Sequence, residues 1–282
     1  MTGSVPTVRR WLLIEHPGPW QHDALGGMGL PTPVLDAIVT AVRAHGARVL
    51  LVRRPGRRAS QGGRTWGVLD QRSGWARWGR WPEPEDLLAA VDALGEQPVA
   101  RAAAEPVLLV CTHGRHDTCC AVFGRPVAAT LAQRWPEQTW ECSHLGGDRF
   151  AANLLIAPDG FYYGRLDAGT AVDVVTAHLR GEVDPQFLRG STGMPPVMQA
   201  ALVAAHERFG PASARAIWAE ELETISPDRW AVRLAAAAPL PARIDAIIAR
   251  TRQRAALLTC AAQAPSSAMV LTAEQITAEH HQ

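Results

Sequence analysis

The stretch Val107-Leu-Leu-Val-Cys-Thr-His-Gly-Arg-His-Asp-Thr-Cys-Cys120 runs an apolar strand directly into a loop rich in cysteine and histidine. A helical segment follows, and then a second such stretch, Cys142-Ser-His-Leu-Gly-Gly-Asp-Arg-Phe150. Together they contain four of the five cysteines and three of the ten histidines, namely Cys111, Cys119, Cys120, Cys142, His113, His116 and His144. Thiolates and imidazoles are the ligands that soft and borderline transition metals prefer. The sequence therefore predicts a metal or iron–sulfur site.

The segments around this site predict one α/β unit over residues 104–182. Its strand at 107–111 is followed by a helix at 126–135, a strand at 139–144, a hairpin of strands 151–156 and 161–166, and a helix at 170–180. The pair Asp159-Gly160 is the turn signal of the hairpin. The resulting order, β-α-β-β-β-α, is the thioredoxin-like plan.

An earlier unit, over residues 8–98, repeats that order without the cysteines. Its predicted elements are a strand at 11–15, a helix at 33–45, a strand at 48–52, a hairpin at 65–69 and 75–81, and a helix at 84–94. Glu15 and Pro17 stand where the later unit has Cys111 and His113. We therefore expect two tandem thioredoxin-like units, of which only the second carries a cluster.

Residues 183–282 predict a mixed α/β extension. An amphipathic pattern favours a helix at 195–209, and residues 230–234 favour a strand. The pattern at 242–258 is ambiguous, and we expect the last fifteen residues to be frayed or disordered.

Composition and charge argue against a nucleic-acid-binding, membrane or secreted protein. A net charge of +1 gives no general attraction to nucleic acid or to anionic membranes, and apolar runs are too short to span a bilayer. The polar start of the chain does not resemble a secretory signal, so we expect a cytoplasmic protein whose cysteines stay thiols. The basic residues 53–58 predict a solvated loop, or a surface for an acidic redox partner, rather than a nucleic-acid site.

The cysteines and histidines fall into two pairs of candidate ligands. Cys111 and Cys120 are separated by eight residues, which is loose for a zinc knuckle but suits a loop around a cluster. His144 and Asp148 are four apart across two glycines, which allow the backbone to approach a cofactor closely. Two pairs, one for each iron, match a [2Fe–2S] cluster with an imidazole on one iron.

At these residues the chain resembles the sucrase/ferredoxin-like family. The resemblance lies in Cys-Thr-His-Gly-x-x-Asp-x-x-Cys from Cys111, in Ser-His-Leu-Gly-Gly-x-Arg-Phe-Ala-Ala-Asn-Leu-Leu from Ser143, and in Tyr163-Gly164-Arg165. It implies a thioredoxin-fold ferredoxin whose [2Fe–2S] cluster is held by C-x₈-C and H-x₃-H. Carried over, these spacings place Cys111, Cys120 and His144 on the cluster. The fourth place falls on Asp148, where the histidine-ligated members have histidine.

Several alternatives remain open from the sequence. Cys142 or Cys119 can replace Asp148 as the fourth ligand, although we favour Asp148. His113 and His116 are expected to be loop or surface residues, and Cys260 a small buried hydrophobe. The expected function is electron transfer to an unknown partner protein, or redox sensing, in a carrier rather than an enzyme with its own substrate. The alternatives are a metal-free thiol oxidoreductase using Cys119 and Cys120, and a zinc-binding interaction module.

Overall fold

The mixed α/β class is confirmed by the computed structural model, which describes residues 1–57, 63–96, 104–260 and 262–279. One sheet has nine strands and a second, antiparallel sheet has four. The first half consists of β1 (Arg10–Glu15), α1 (Thr32–Ala44), β2 (Ala47–Arg53), β3 (Thr65–Asp70), β4 (Trp75–Arg80) and α2 (Leu88–Gly95). Most of the predicted boundaries in this half differ from these by one residue, but the last helix begins four residues later than predicted, after a 3-10 turn at Pro84–Leu87.

The second half repeats the same order of elements. It consists of β5 (Val107–Cys111), α3 (Thr118–Arg134), β6 (Thr139–Cys142), β7 (Leu154–Ala157), β8 (Phe161–Tyr163) and α4 (Ala168–Leu179). The remaining elements are β9 (Leu188–Ser191), α5 (Pro196–Phe209), β10 (Ile217–Ser226), β11 (Arg229–Ala236), β12 (Arg243–Arg252) and β13 (Met269–Glu279).

The two halves share one continuous sheet, with the order β4-β3-β1-β2-β6-β5-β7-β8-β9. Each half contains one parallel pair, β1 with β2 and β5 with β6, because a helix connects the two strands on one side. The halves meet where β2 pairs antiparallel with β6, through Val52 opposite Cys142 and Arg53 opposite Glu141. The site loops after β5 and β6 therefore lie near the middle of the sheet.

The start of α3 differs from the prediction. A helix was expected over residues 126–135. The helix instead begins at Thr118, because the Asp117 carboxylate accepts a hydrogen bond from the Cys119 backbone N–H at 2.8 Å and caps it. Pro126 lies inside the helix. Cys120 is therefore a helical residue and not, as expected, part of a loop.

The end of the chain also differs from the prediction. Residues 242–258, which were ambiguous, contain β12, and the stretch expected to be frayed contains β13. β13 pairs antiparallel with β12 from Met269 opposite Arg252 to Glu279 opposite Arg243. β13 is a mostly polar edge strand, so its sequence contains no long apolar run that would predict a strand. Its order depends on pairing with β12, which the local sequence does not show. Residues 280–282 lie outside the described part of the chain.

Arg53 and Arg54, the first two of the basic residues at 53–58, do not belong to the predicted solvated loop. Arg53 is buried, and its Nε donates to Glu141 Oε2 at 2.7 Å across the junction of β2 and β6. The Arg54 guanidinium lies 3.6 Å from the centre of the Trp140 ring and donates to backbone carbonyls of residues 136, 137 and 139. Both arginines therefore hold the two halves together, and residue 58 lies outside the described residues.

Packing of α5 brings the second sheet against the first. Ala201, Leu202 and Ala205 of α5 share one apolar core with Val232 of β11 and Ile244 of β12. That core also includes residues of β5, α3 and α4, so the extension packs directly on the second half. Of the helices in the described residues, none is sufficiently long and apolar to cross a bilayer.

Candidate metal centre

The candidate site forms at the carboxyl ends of β5 and β6. These strands are parallel neighbours, and their last residues, Cys111 and Cys142, are register partners. The segments that leave the two strands therefore begin at the same edge of the sheet. One leads through residues 112–117 into α3, and the other through residues 143–147 into a single 3-10 turn, Asp148–Phe150.

The four predicted ligands come together in two overlapping groups. The ligand atoms of Cys111, Cys120 and His144 all lie within 4.8 Å of one another, as do those of His144, Asp148 and His116. His144 belongs to both groups. Among the residues that the structure describes, Cys142 belongs to neither, while His116, which was not in the predicted set, does belong to one.

The two ligand cysteines interact closely beneath the surface. Cys111 and Cys120 are both almost completely enclosed. A hydrogen bond from Cys120 lowers the pKa of the Cys111 thiol well below its usual range and outweighs the effect of burial, with further support from His144. The same hydrogen bond, together with burial, raises the pKa of Cys120. Of the two cysteines, Cys111 is therefore the one that loses its proton more readily, and the thiolate is the form that binds metals.

Asp148 connects the two groups. Its Oδ1 accepts a hydrogen bond from the Cys120 thiol at 3.3 Å and lies 3.1 Å from His144 Nδ1. Burial opposes the charge of His144, but the contacts with Asp148 and Cys111 raise its pKa to about 9. Burial likewise opposes the charge of Asp148, yet its hydrogen bond with His144 keeps the pKa of the carboxyl below its usual range. The site therefore holds the negative carboxylate of Asp148 and the positive ring of His144 in contact within a half-buried space.

A close approach of α3 to β5 places Cys120 against Cys111. A Cβ atom at Gly124 would lie 2.1 Å from the Cys111 carbonyl oxygen, a separation that real Cβ atoms do not show. Only glycine allows this contact between helix and strand. The sequence contains the glycine, but nothing near it indicates which backbone it touches.

The turn before Asp148 is held by two side chains, Arg189 and Asn153, that were not predicted to belong to the site. Gly146 and Gly147 have φ values of 91° and 80°, in the left-handed region that favours glycine. The buried Arg189 of β9 donates to the Gly146 carbonyl at 2.9 Å and to Asn153 Oδ1 at 2.8 Å. Asn153 in turn donates to the Gly147 carbonyl at 2.9 Å. An arginine in a predicted extension carries no local signal that it supports a turn far away in the sequence.

The first half of the chain also contributes to the site. Arg48 of β2 donates to the carbonyl of His144 at 2.5 Å and to that of Leu145 at 3.3 Å. His113, expected to be a loop or surface residue, is buried, and its Nε2 donates to the Gln21 carbonyl at 2.7 Å.

A row of histidines extends from the site toward the first half. The ring of His116 stacks on that of His144, with centroids 3.6 Å apart, and the ring of His22 stacks on His116 at 4.8 Å. Because His22 belongs to the loop after β1, the half without cysteines covers the cysteine-bearing loop of the other.

Cys119 and Cys260 form a disulfide, with Cα atoms 6.1 Å apart. The expectation that all cysteines stay thiols is therefore wrong, as is the expectation that Cys260 is a buried hydrophobe, because Cys260 is exposed. Helical geometry turns Cys119 away from Cys120 and toward the segment between β12 and β13. The pair Cys119 and Cys120 is consequently not the dithiol that the alternative thiol chemistry requires.

The donors present fit an iron–sulfur cluster. Two of them are buried cysteine sulfurs, one of which has a lowered pKa, and the others are an imidazole and a carboxylate. His144 Nδ1 is shielded from solvent, and its contact with Asp148 Oδ1 at 3.1 Å lies within this donor set.

Comparison with known proteins gives one result on the family. The family model described as sucrase/ferredoxin-like matches residues 1–190, which include both halves and every residue of the candidate centre. No curated protein and no solved structure matches the chain. This family model covers about two thirds of the chain, and the residues expected from the resemblance lie together at one edge of the sheet. Together these two findings establish the family. The chain belongs to the sucrase/ferredoxin-like family.

Proposed function

We propose that this protein binds a [2Fe–2S] cluster and uses it to transfer single electrons or to sense redox conditions. Cys111 and Cys120 hold one iron, and His144 and Asp148 hold the other. The observation that carries the proposal is the convergence of these four side chains at the end of β5 and β6. The repeated order of elements supports a further proposal, that each half is a thioredoxin-like unit.

The kinds of donor in the set suit two irons with different ligands. The set combines two cysteine sulfurs with an imidazole and a carboxylate, and it forms two groups of three donors that share His144. The two groups also touch directly, because the Cys120 thiol donates to Asp148 Oδ1 at 3.3 Å. A binuclear cluster accepts thiolates on one iron and other ligands on the second, whereas a structural zinc site needs all four donors around a single point.

The surrounding residues set the properties of the centre. The cluster supplies a one-electron couple, and ligation by imidazole instead of thiolate raises its reduction potential. The buried Arg189 holds the turn before Asp148, and its positive charge acts on both Cys111 and Asp148. A buried positive charge favours the reduced cluster, which carries one more negative charge.

Metal and sulfide analysis tests the proposal directly. Protein purified without oxygen is expected to be red-brown and to contain two irons and two acid-labile sulfides per chain, as the cluster formula requires. Zinc at one equivalent in a colourless protein would overturn the proposal in favour of the zinc module. A protein that takes up no metal during reconstitution with iron and sulfide would contradict both.

Replacing Asp148 tests the fourth ligand. Asp148→Ala is expected to assemble a cluster that a chelator removes at least tenfold faster than from wild type, because one iron is left open to water. Asp148→His is expected to keep the cluster and lose it more slowly, since imidazole is the softer ligand. The measurement is the decay of visible absorption in excess chelator.

Two further alanine variants serve as controls for that assignment. Cys142→Ala and His116→Ala should lose the cluster at the wild-type rate. If Asp148→Ala decays like wild type while one of these two bleaches rapidly, that residue is the ligand and Asp148 is not.

A further inference from the structure

A cavity of ≈ 610 Å³ lies beside the candidate metal centre, between the turn at Asp148–Phe150 and the second sheet. One side is formed by Arg149, Phe150 and Arg165, and the opposite side by Trp230, Leu257 and Met269. A cavity of this volume is in the range of sites that enclose a small organic molecule.

The charge on the first side is positive and has no acidic partner. Among the described residues, neither Arg149 nor Arg165 forms an ion pair. Both guanidinium groups lie over the same ring of Phe150, at 4.6 and 5.7 Å from its centre. Two guanidinium groups that share one ring and have no counter-ion are stabilised when an anion binds to them.

The backbone at Arg165 provides an independent sign of function. Its φ is 60°, and among the described residues it is the only one other than glycine in the left-handed region. A side chain with a Cβ atom is strained in this conformation, and residues strained in this way cluster at active sites, ligand clamps and switch regions. Here it directs the guanidinium into the cavity wall.

The opposite side of the cavity is largely apolar and partly open to solvent, although Arg250, which is paired with Asp228, and Gln253 also line it. Leu257 and Met269 are 61% and 47% exposed, which is high for large hydrophobic residues. Trp230 adds a flat aromatic surface beside them. A ligand that covers these residues needs an apolar body, and the two arginines require that it end in an anionic group.

We propose that this cavity is a binding site for a small amphipathic anion, with a carboxylate or phosphate held by Arg149 and Arg165 and an apolar body against Trp230, Leu257 and Met269. The site is separate from the cluster, and its occupation does not depend on the proposed redox function. Arg149 directly follows Asp148 in the chain, so the two sites meet at one turn.

Fluorescence titration tests this site. Anilinonaphthalene sulfonate, an aromatic ring system with one anionic group, is expected to bind the full-length protein saturably with one site per chain. Arg149→Ala and Arg165→Gly should each weaken binding at least tenfold. Glycine is used at residue 165 because it accepts a φ of 60° without strain, so folding is preserved while the guanidinium is removed. Inorganic phosphate is expected to compete with the probe.

Two comparisons decide between this site and a merely apolar surface. Arg208→Ala, which removes an exposed arginine of α5 outside the cavity wall, should bind the probe like wild type. N-phenylnaphthylamine, which has no charge, should bind more weakly to wild type and be unaffected by Arg165→Gly. Wild-type affinity for the sulfonate in both Arg149→Ala and Arg165→Gly would overturn the proposal.

Discussion

Cys111→Ser and Cys120→Ser are each expected to abolish the cluster. Both sulfurs are buried in the same group of ligand atoms, and a serine hydroxyl is a much poorer ligand for iron than a thiolate. Because Cys120 also donates to Asp148, removing it disturbs both ends of the donor set. After reconstitution with iron and sulfide, visible absorption and bound iron should fall to the level of protein without a cluster.

Cys142→Ser is the matched control for these two variants. Cys142 is fully buried and pairs with Cys111 across β5 and β6, so its replacement makes the same chemical change in the same core. It lies outside both groups of ligand atoms. Wild-type iron content is expected in Cys142→Ser. Full iron content in Cys111→Ser would remove the basis of the ligand assignment.

Glu141→Ala is expected to lower the free energy of unfolding by about 3–5 kcal/mol, because it leaves a buried arginine without its counter-ion. Glu141 accepts hydrogen bonds from Arg53 at 2.7 Å and from Thr112 at 3.1 Å, and all three residues are buried where the halves join. Denaturation in urea, followed by circular dichroism, measures the loss.

An exposed ion pair provides the comparison. Asp228 accepts a hydrogen bond from Arg250 at 2.6 Å, but both side chains are largely exposed, at 58% and 42%. Asp228→Ala is therefore expected to cost less than about 1 kcal/mol. The double change Arg53→Met with Glu141→Leu should recover much of the stability that Glu141→Ala loses, since it leaves no unpaired buried charge. Equal losses in Glu141→Ala and Asp228→Ala would contradict a buried ion pair at the junction.

Hydrophobic spacing in the sequence predicted those strands and helices whose position depends on that spacing alone. The apolar run at 107–111 identified β5 and placed Cys111 at its end, and hydrophobic spacing identified α1 and α5 closely. The error at α3 arose because the Asp117 cap, six residues after the end of β5, was not identified in the sequence. The hydrogen bond from the Cys119 backbone to the Asp117 carboxylate starts the helix eight residues before Pro126.

The parts of the site that the sequence did not reveal are held by contacts between distant residues. Arg48 and Arg189 support the backbone around His144 and Gly146 from strands in other parts of the chain. Each appears in the sequence as an arginine within an ordinary strand, so its role emerges only when the strands are assembled. Cys260 is similar, because a single cysteine in an ambiguous segment does not indicate its partner.

The disulfide between Cys119 and Cys260 joins residues 141 positions apart. It turns the chain from β6 through β12 into a covalent ring that includes His144, Asp148 and α5. A protease that cuts the backbone once inside this ring produces two peptides but not two molecules. The pieces separate only after a thiol reductant opens the bond, so a nicked protein keeps the peptide bearing Cys120 attached to the second sheet. Proteolysis at a single exposed turn of β10 to β12 therefore changes the protein's size on a gel only under reducing conditions.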